Sequence, residues 1–217
     1  MSIAAFQGNI DCLHICLGAC FNYEPNFVPT HAIEGGHISV LELLLDKNYV
    51  NINEEVEDTS LVGYAVVQEK VGLVDFLLAR GANPNTRVYA FVTSFQHSLS
   101  LVSYAGFKNN TELMKVLLSR GLAVEDPEYH YRPIWWTIYH NNIHMARVFI
   151  EKGIDLSPTL PGDWPLLEAV RFGHAEMVLL MLEEGGMPED TSEVVNLYYE
   201  IEVCGSVEVQ RIFGREE

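Results

Sequence analysis

The chain contains imidazole and carboxylate side chains that could transfer protons, and they occur among aromatic residues. His97, Glu128, His140 and Asp163 are the candidates for general acid and base groups. Histidine titrates near neutral pH, so such a set could serve the cyclisation, isomerisation or hydration of an apolar metabolite. Tyr and Trp faces would stabilise developing positive charge. The competing interpretation is that these polar groups cap turns and helices or meet solvent.

Sequence motifs for metal, nucleotide and nucleophilic chemistry are absent. The chain has no G-x-x-x-x-G-K-[ST], G-x-G-x-x-G, G-x-S-x-G or H-E-x-x-H. His140 and His144 have the i, i+4 spacing of a helical metal clamp, but Asn141 and Asn142 between them predict an inter-helix turn. The two imidazoles would then lie on different helices. We therefore predict neither a metal nor a cofactor.

Three of the four cysteines lie on one predicted helix face, because Cys12, Cys16 and Cys20 are spaced at i, i+4 and i+8. That spacing suits neither disulfides within the helix nor a closed zinc site, so we expect buried free thiols. The sequence shows no secretory signal and no apolar run of about 20 residues. These features predict an intracellular, cytoplasmic location, with the nucleus as an alternative.

The elements that must position these side chains recur along the chain. Five segments carry apolar residues at the same helical offsets, and their ends lie 33, 40, 32 and 32 residues apart. A shorter helix with a small residue at a fixed position precedes each segment, which predicts stacked helix pairs. Glycines at the ends of four segments predict left-handed C-caps. The segments are GHISVLELLLDKN (36–48), EKVGLVDFLLARG (69–81), NNTELMKVLLSRG (109–121), NNIHMARVFIEKG (141–153) and GHAEMVLLMLEEG (173–185).

The chain resembles the ankyrin-repeat family, whose period is about 33 residues and whose first helix begins T-P-L-H-x-A. The best matches are WPLLEA (164–169), RPIWWT (132–137) and the helix ending LLARGANPN (77–85). The resemblance implies an all-α ankyrin-repeat solenoid of stacked helix-turn-helix units with short finger loops. We predict one domain over 1–217, with a half-repeat cap at 1–24, repeats at about 25–57, 58–85, 86–124, 125–157 and 158–190, and a C-terminal cap at 191–217.

One finger is predicted to be enlarged, because Gly81 and Gly121 are 40 residues apart. The excess lies at 86–98 (TRVYAFVTSFQHS). Insertions in such repeats map to loops on one face, often the binding face. The alternative is that this loop is packed decoration without a binding role.

Aromatic residues recur at the variable positions. Aligning the copies places Tyr64, Tyr104 and Trp136 at one shared position, whereas Trp135 replaces a structural His of the family and is expected in the core. The resemblance implies a concave surface lined by an aromatic wall, which suits a ligand pocket or a protein hot spot. The predicted partner- or ligand-binding residues are Tyr64, His97, Tyr104, Phe107, Tyr129, Tyr131, Trp136, Tyr139, His140, Asp163, Arg171 and Phe172.

The charge of the chain restricts its partners. With 13 Lys+Arg and 30 Asp+Glu, the formal net charge is −17. Such a chain repels phosphate, so neither nucleic acid nor an anionic membrane is an expected partner. The negative field would steer a basic protein surface towards it, although the same charge also favours solubility. We predict a non-catalytic protein-binding module; the alternative is a small-molecule pocket protein or an unusual enzyme acting on an apolar metabolite.

Overall fold

The computed structural model describes residues 1–18, 27–56, 58–92, 95–125, 133–157, 164–187 and 191–214. Within these residues, fourteen helices follow one another as seven helix-turn-helix pairs, which confirms the predicted fold class. The pairs are α1 (Ser2–Phe6) with α2 (Ile10–Gly18), α3 (Phe27–Gly35) with α4 (Ile38–Asp46), α5 (Leu61–Val67) with α6 (Val71–Ala79), α7 (Leu101–Phe107) with α8 (Thr111–Ser119), α9 (Pro133–Tyr139) with α10 (Ile143–Glu151), α11 (Pro165–Arg171) with α12 (Ala175–Glu183), and α13 (Thr191–Val203) with α14 (Val207–Ile212).

Residues with positive φ end the helices at the predicted positions. Gly81, Gly121, Gly153 and Gly185 follow the second helix of their pairs with φ of 92, 82, 77 and 83°. After α6, the Ala82 N–H donates to the Leu77 carbonyl over 3.0 Å and satisfies a carbonyl at the helix end. The predicted left-handed C-caps are thereby confirmed.

The packed chain forms two compact units. Unit 1 comprises Met1–Ala105 and Glu112–Ala123, and unit 2 comprises Gly106–Thr111 and Val124–Glu217. In unit 1 the apolar stripes of the second helices are buried, including Leu44 and Leu77 at 0 % exposure. The same periodicity therefore builds the core in successive copies.

The enlarged finger of unit 1 is a β-hairpin. Strands β3 (Arg87–Val92) and β4 (Phe95–Ser100) pair antiparallel, with Tyr89 opposite Ser98. A shorter hairpin of β1 (Glu55–Val56) and β2 (Thr59–Ser60) precedes α5. The prediction of an enlarged finger is confirmed, and the added element is strand rather than irregular loop.

Two burial predictions are wrong. Cys12 is exposed and Cys16 is half-buried, because α2 turns Leu13 towards the interior instead of the cysteine face; Cys20 lies outside the described residues. Trp135 is partly exposed rather than part of the core. In other copies its position holds Gly63, Ser103 or Leu167, all buried, and an indole ring is larger than any of these side chains.

The described helices are short. The longest, α13, has 13 residues. Among the described parts of the chain, we find no helix with both the length and the apolar character needed to cross a bilayer.

Candidate functional site

In unit 2, ring side chains gather on α9, at the last residue of α7 and on the turns that follow α9 and α11. Trp135 and Tyr139 stack at 5.3 Å with an interplanar angle of 13°. Trp136 meets Phe107 edge-on at 5.1 Å, and Tyr139 meets Phe172 edge-on at 5.7 Å. We call this set the aromatic cluster: Phe107, Trp135, Trp136, Tyr139, His140, Phe172 and His174.

Helical spacing explains the stacked pair. Trp135 and Tyr139 are i and i+4 on α9, so their side chains point to the same helix face. Offset stacks and edge-to-face contacts of this kind contribute about 0.5–1.5 kcal/mol beyond the buried area. Tyr139 remains 51 % exposed and Phe172 39 % exposed. The cluster therefore has a packed interior and an exposed aromatic edge.

The three rings at the shared first-helix position do not form one exposed wall. Trp136 is 4 % exposed and packs against Gly106 and Phe107 at the end of α7, and Tyr104 in unit 1 is 6 % exposed. Burial, with a smaller contribution from the Glu69 charge, raises the pKa of the Tyr104 hydroxyl. The expectation of an exposed wall is wrong for these two rings, because both are packed.

His140, which we expected as an acid–base or binding residue, makes a structural contact. Its Nε2 lies 3.1 Å from the Phe107 carbonyl oxygen, so Nε2 is the nitrogen that donates. Two residues further on, the Asn142 amide donates to Asn109 and Thr111 on the preceding turn. These bonds join successive turns. The turn predicted between His140 and His144 is confirmed, since α9 ends at Tyr139 and α10 begins at Ile143.

Arg171 is held by two carboxylates. Its guanidinium donates to Glu168 on the same helix and to Glu200 on α13, each over 2.8 Å. The hydrogen bond from Arg171 lowers the pKa of Glu200, and the hydrogen bond between Cys204 and Glu200 raises the pKa of the Cys204 thiol. Arg171 therefore already has two anionic partners within unit 2, which compete with any anionic ligand.

Tyr64 lines a groove in unit 1, which we call the α3–α5 groove. The groove encloses about 270 Å³ between α3, α5 and the β1–β2 hairpin. The Tyr64 hydroxyl donates to Glu34 Oε1 over 2.5 Å. The lining residues are Phe27, Thr30, His31, Glu34, Val56, Thr59 and Tyr64.

The β3–β4 hairpin exposes two aromatic side chains that are not among the predicted binding residues. Tyr89 is 53 % exposed and Phe91 is 71 % exposed, whereas Val88 and Leu99 are fully buried. The alternation of polar or aromatic with apolar residues in RVYAFV is the period-two signal that would have placed both rings on one strand face. His97 lies on β4 opposite Ala90 and is partly exposed.

The described structure does not test the proposed acid–base set. His97 belongs to unit 1 and His140 to unit 2. Glu128, Tyr129, Tyr131 and Asp163 lie outside the described residues. The enzyme alternative and the binding roles of the candidate residues therefore stay predictions.

Comparisons with known proteins identify the repeats. A family model for ankyrin repeats (3 copies) matches residues 1–88 and 101–192. The two ranges flank 89–100, which is most of the β3–β4 hairpin. An ankyrin repeat protein of Borreliella burgdorferi is 28 % identical over 116 residues, which are 53 % of this chain and 48 % of the relative. The chain thus matches about half of that relative's length.

Two solved structures have a similar fold. The human ASB11 ankyrin repeat domain aligns with a TM-score of 0.64 and 19 % identity, over 92 % of this chain and 96 % of that one. A chain from the complex of a predatory endopeptidase of Bdellovibrio bacteriovorus with an immunity protein aligns with a TM-score of 0.63 and 18 % identity, over 84 % of this chain and 96 % of that one. Since the family model covers well over half of the sequence and the helix pairs recur in register, this chain belongs to the ankyrin-repeat family.

Proposed function

We propose that this chain is a non-catalytic binding protein that recognises a protein partner through the exposed face of the β3–β4 hairpin. Ankyrin repeats generally mediate protein–protein binding, and one structurally similar chain comes from a complex of two proteins. The proposal adds a place on this chain where such a partner would dock.

The exposed aromatic face of the hairpin carries the proposal. Tyr89 and Phe91 project from alternate positions of β3, so they share the face opposite the buried Val88. On the same face, the Arg87 guanidinium donates to the Ser98 hydroxyl and carbonyl over 2.9 and 2.8 Å, which holds its aliphatic stem in place. Tyr, Trp and Arg are the residue types that dominate protein hot spots. Two large exposed rings on an inserted element therefore support a docking role.

The aromatic cluster of unit 2 supplies a second candidate contact. Tyr139 and Phe172 present its exposed edge, and both rings rest on packed aromatic neighbours. Rings held in this way lose little conformational freedom on binding. This edge is a separate prediction from the hairpin and is tested with its own variants, Tyr139→Ala and Phe172→Ala.

Site-specific photocrosslinking tests the hairpin. A photoreactive phenylalanine analogue at position 91 should yield a protein-sized adduct in source cells, whereas the same analogue at Tyr49, which is 41 % exposed in unit 1, should not. With the partner identified, the double variant Tyr89→Ala, Phe91→Ala should bind it about tenfold or more weakly, since each hot-spot ring contributes ~1 kcal/mol or more.

Two results would contradict the hairpin assignment. One is equal crosslinking from positions 49 and 91. The other is full affinity of the double variant in isothermal titration calorimetry. A small molecule rather than a protein in native mass spectra of the source-purified chain would favour the pocket-protein alternative instead.

A further inference from the structure

We propose that the α3–α5 groove binds one basic side chain, an arginine or lysine presented by the protein partner. The inference rests on the proposed function, because it names a chemical feature of that partner. The groove is separate from the exposed face of the β3–β4 hairpin. It lies in unit 1 between the first helices α3 and α5 and the β1–β2 hairpin.

The size of the groove suits a side chain rather than a separate ligand. Its volume of about 270 Å³ lies below the roughly 300–1,000 Å³ of pockets for drug-sized molecules. Val56 on the β1–β2 hairpin is 6 % exposed and contributes an apolar wall, and Phe27 and Tyr64 contribute aromatic rings. The aliphatic stem of arginine or lysine can pack against such surfaces while its charged head reaches polar groups.

The polar groups of the groove are arranged to accept hydrogen bonds. The Tyr64 hydroxyl hydrogen is used on Glu34 Oε1, and the Thr30 hydroxyl hydrogen is used on the Phe27 carbonyl at 2.9 Å. The His31 Nδ1 also contacts the Phe27 carbonyl, which can only accept. The hydrogen of a neutral His31 ring therefore sits on Nδ1, and Nε2 carries a lone pair.

A cationic donor complements this arrangement. The Glu34 carboxylate has four lone-pair sites, of which Tyr64 occupies one. Guanidinium and ammonium groups have donors but no acceptors, and they gain from lying over aromatic faces. An anionic or purely acceptor group would meet repulsion from Glu34. The formal charge of −17 for the chain favours approach of a basic segment in the same sense.

The test compares two small probes on the unmodified chain by nuclear magnetic resonance titration. N-acetyl-arginine amide should shift the signals of Thr30, Thr59 and Tyr64. N-acetyl-citrulline amide, which has nearly the same shape without the charge, should bind roughly tenfold more weakly, as expected for loss of a charge-assisted hydrogen bond. N-acetyl-lysine amide should behave like the arginine probe. Equal binding of arginine and citrulline probes overturns the proposal.

A matched pair of variants tests whether the Glu34 carboxylate binds the arginine probe. Glu34→Gln should weaken arginine-probe binding roughly tenfold while Tyr64 keeps an amide oxygen to donate to. Glu112→Gln makes the same charge change on α8, where Glu112 pairs with Lys115 and its side chain is 73 % exposed, and should leave binding unchanged. Equal effects of the two variants would mean non-specific attraction and would overturn the proposal.

The outcome is independent of the hairpin experiment. The probe titration needs no partner protein, so loss of crosslinking at position 91 leaves the groove result in place. Conversely, a negative titration leaves the hairpin proposal to its own test. The comparison of arginine with citrulline uses the native sequence, so it decides the proposal even when Glu34→Gln disturbs folding.

Discussion

Two histidines in the turns between paired helices form hydrogen bonds with the first helix of the preceding pair. His37 Nε2 lies 2.9 Å from the Phe6 carbonyl, and His140 Nε2 lies 3.1 Å from the Phe107 carbonyl. The separations of 31 and 33 residues are about one repeat. Each imidazole thereby supplies a hydrogen-bond donor to a carbonyl at a helix end, which accounts for these histidines without catalysis.

His174 should make the stability of unit 2 depend on pH. Its ring stacks on Phe172 with centroids 5.8 Å apart, and its buried Nε2 has no hydrogen-bond partner among the described residues. Burial lowers the pKa of His174 below 6.5, opposed in part by its hydrogen bond to the Tyr139 backbone. The unfolded ring binds a proton more readily, so this contribution is complete above about pH 6.5 and is lost as the pH falls towards the lowered pKa.

Urea unfolding between about pH 7.5 and 5 measures this effect. The free energy of unfolding should decrease below about pH 6.5. His174→Gln should reduce that dependence, whereas His144→Gln, at an exposed position on α10, should not. The same pH slope in both variants would assign the dependence to other groups.

The β3–β4 hairpin is held by close packing on α5. A Cβ added at Gly63 would lie 3.1 Å from Val88 Cγ1, so the absent side chain lets the strand approach the helix. The Ser60 hydroxyl caps α5 by accepting from Gly63 and donates to Thr86, just before β3, over 2.8 Å. The inserted element thus has a buried face and an exposed face, as a half-buried strand requires.

Substitutions on the two faces of β3 should change stability by different amounts. Val88→Ala removes two buried methyl groups and should destabilise the hairpin by about 2 kcal/mol. Tyr89→Ala alters an exposed side chain and should change stability by less than about 0.5 kcal/mol. Amide hydrogen exchange of β3 and β4 in each variant is the measurement. Faster exchange in Tyr89→Ala than in Val88→Ala would mean that the faces are reversed.

Exposed ion pairs offset only a small part of the negative charge of the chain. Arg80 bridges Glu42 and Asp46 on α4 over 2.8 and 2.7 Å, and Arg120 pairs with Asp75 on α6 over 2.7 Å. The Arg120 hydrogen bond lowers the pKa of the Asp75 carboxyl. These partners are 36–55 % exposed, and exposed ion pairs contribute little to stability because water and salt screen them.

Added salt should therefore stabilise the chain. Screening weakens repulsion among the carboxylates more than it weakens exposed ion pairs such as Arg120 with Asp75, given a formal net charge of −17. We expect the urea midpoint to rise between about 10 mM and about 0.5 M sodium chloride. A falling midpoint would show that the ion pairs outweigh the repulsion.

The helix pairs and their ends could be predicted from the sequence because their causes are local. A 3.6-residue apolar period and residues suited to positive φ act within a few positions of the chain, as at Gly81 and Gly121. The spacing of 40 residues between these glycines also located the inserted finger. Repetition in register strengthened each local signal, so the family followed from sequence.

Which rings are buried and which are exposed depended on contacts between residues far apart in sequence. Trp136 packs closely on Gly106, thirty residues earlier, because Gly106 has no side chain, and Trp135 stacks on Tyr139 and stays partly exposed. The packing of Val88 beside Gly63 leaves Tyr89 and Phe91 on the exposed face of β3. Periodicity determines the face of an element to which a side chain belongs; the residues packed against that face determine how much of it solvent can reach.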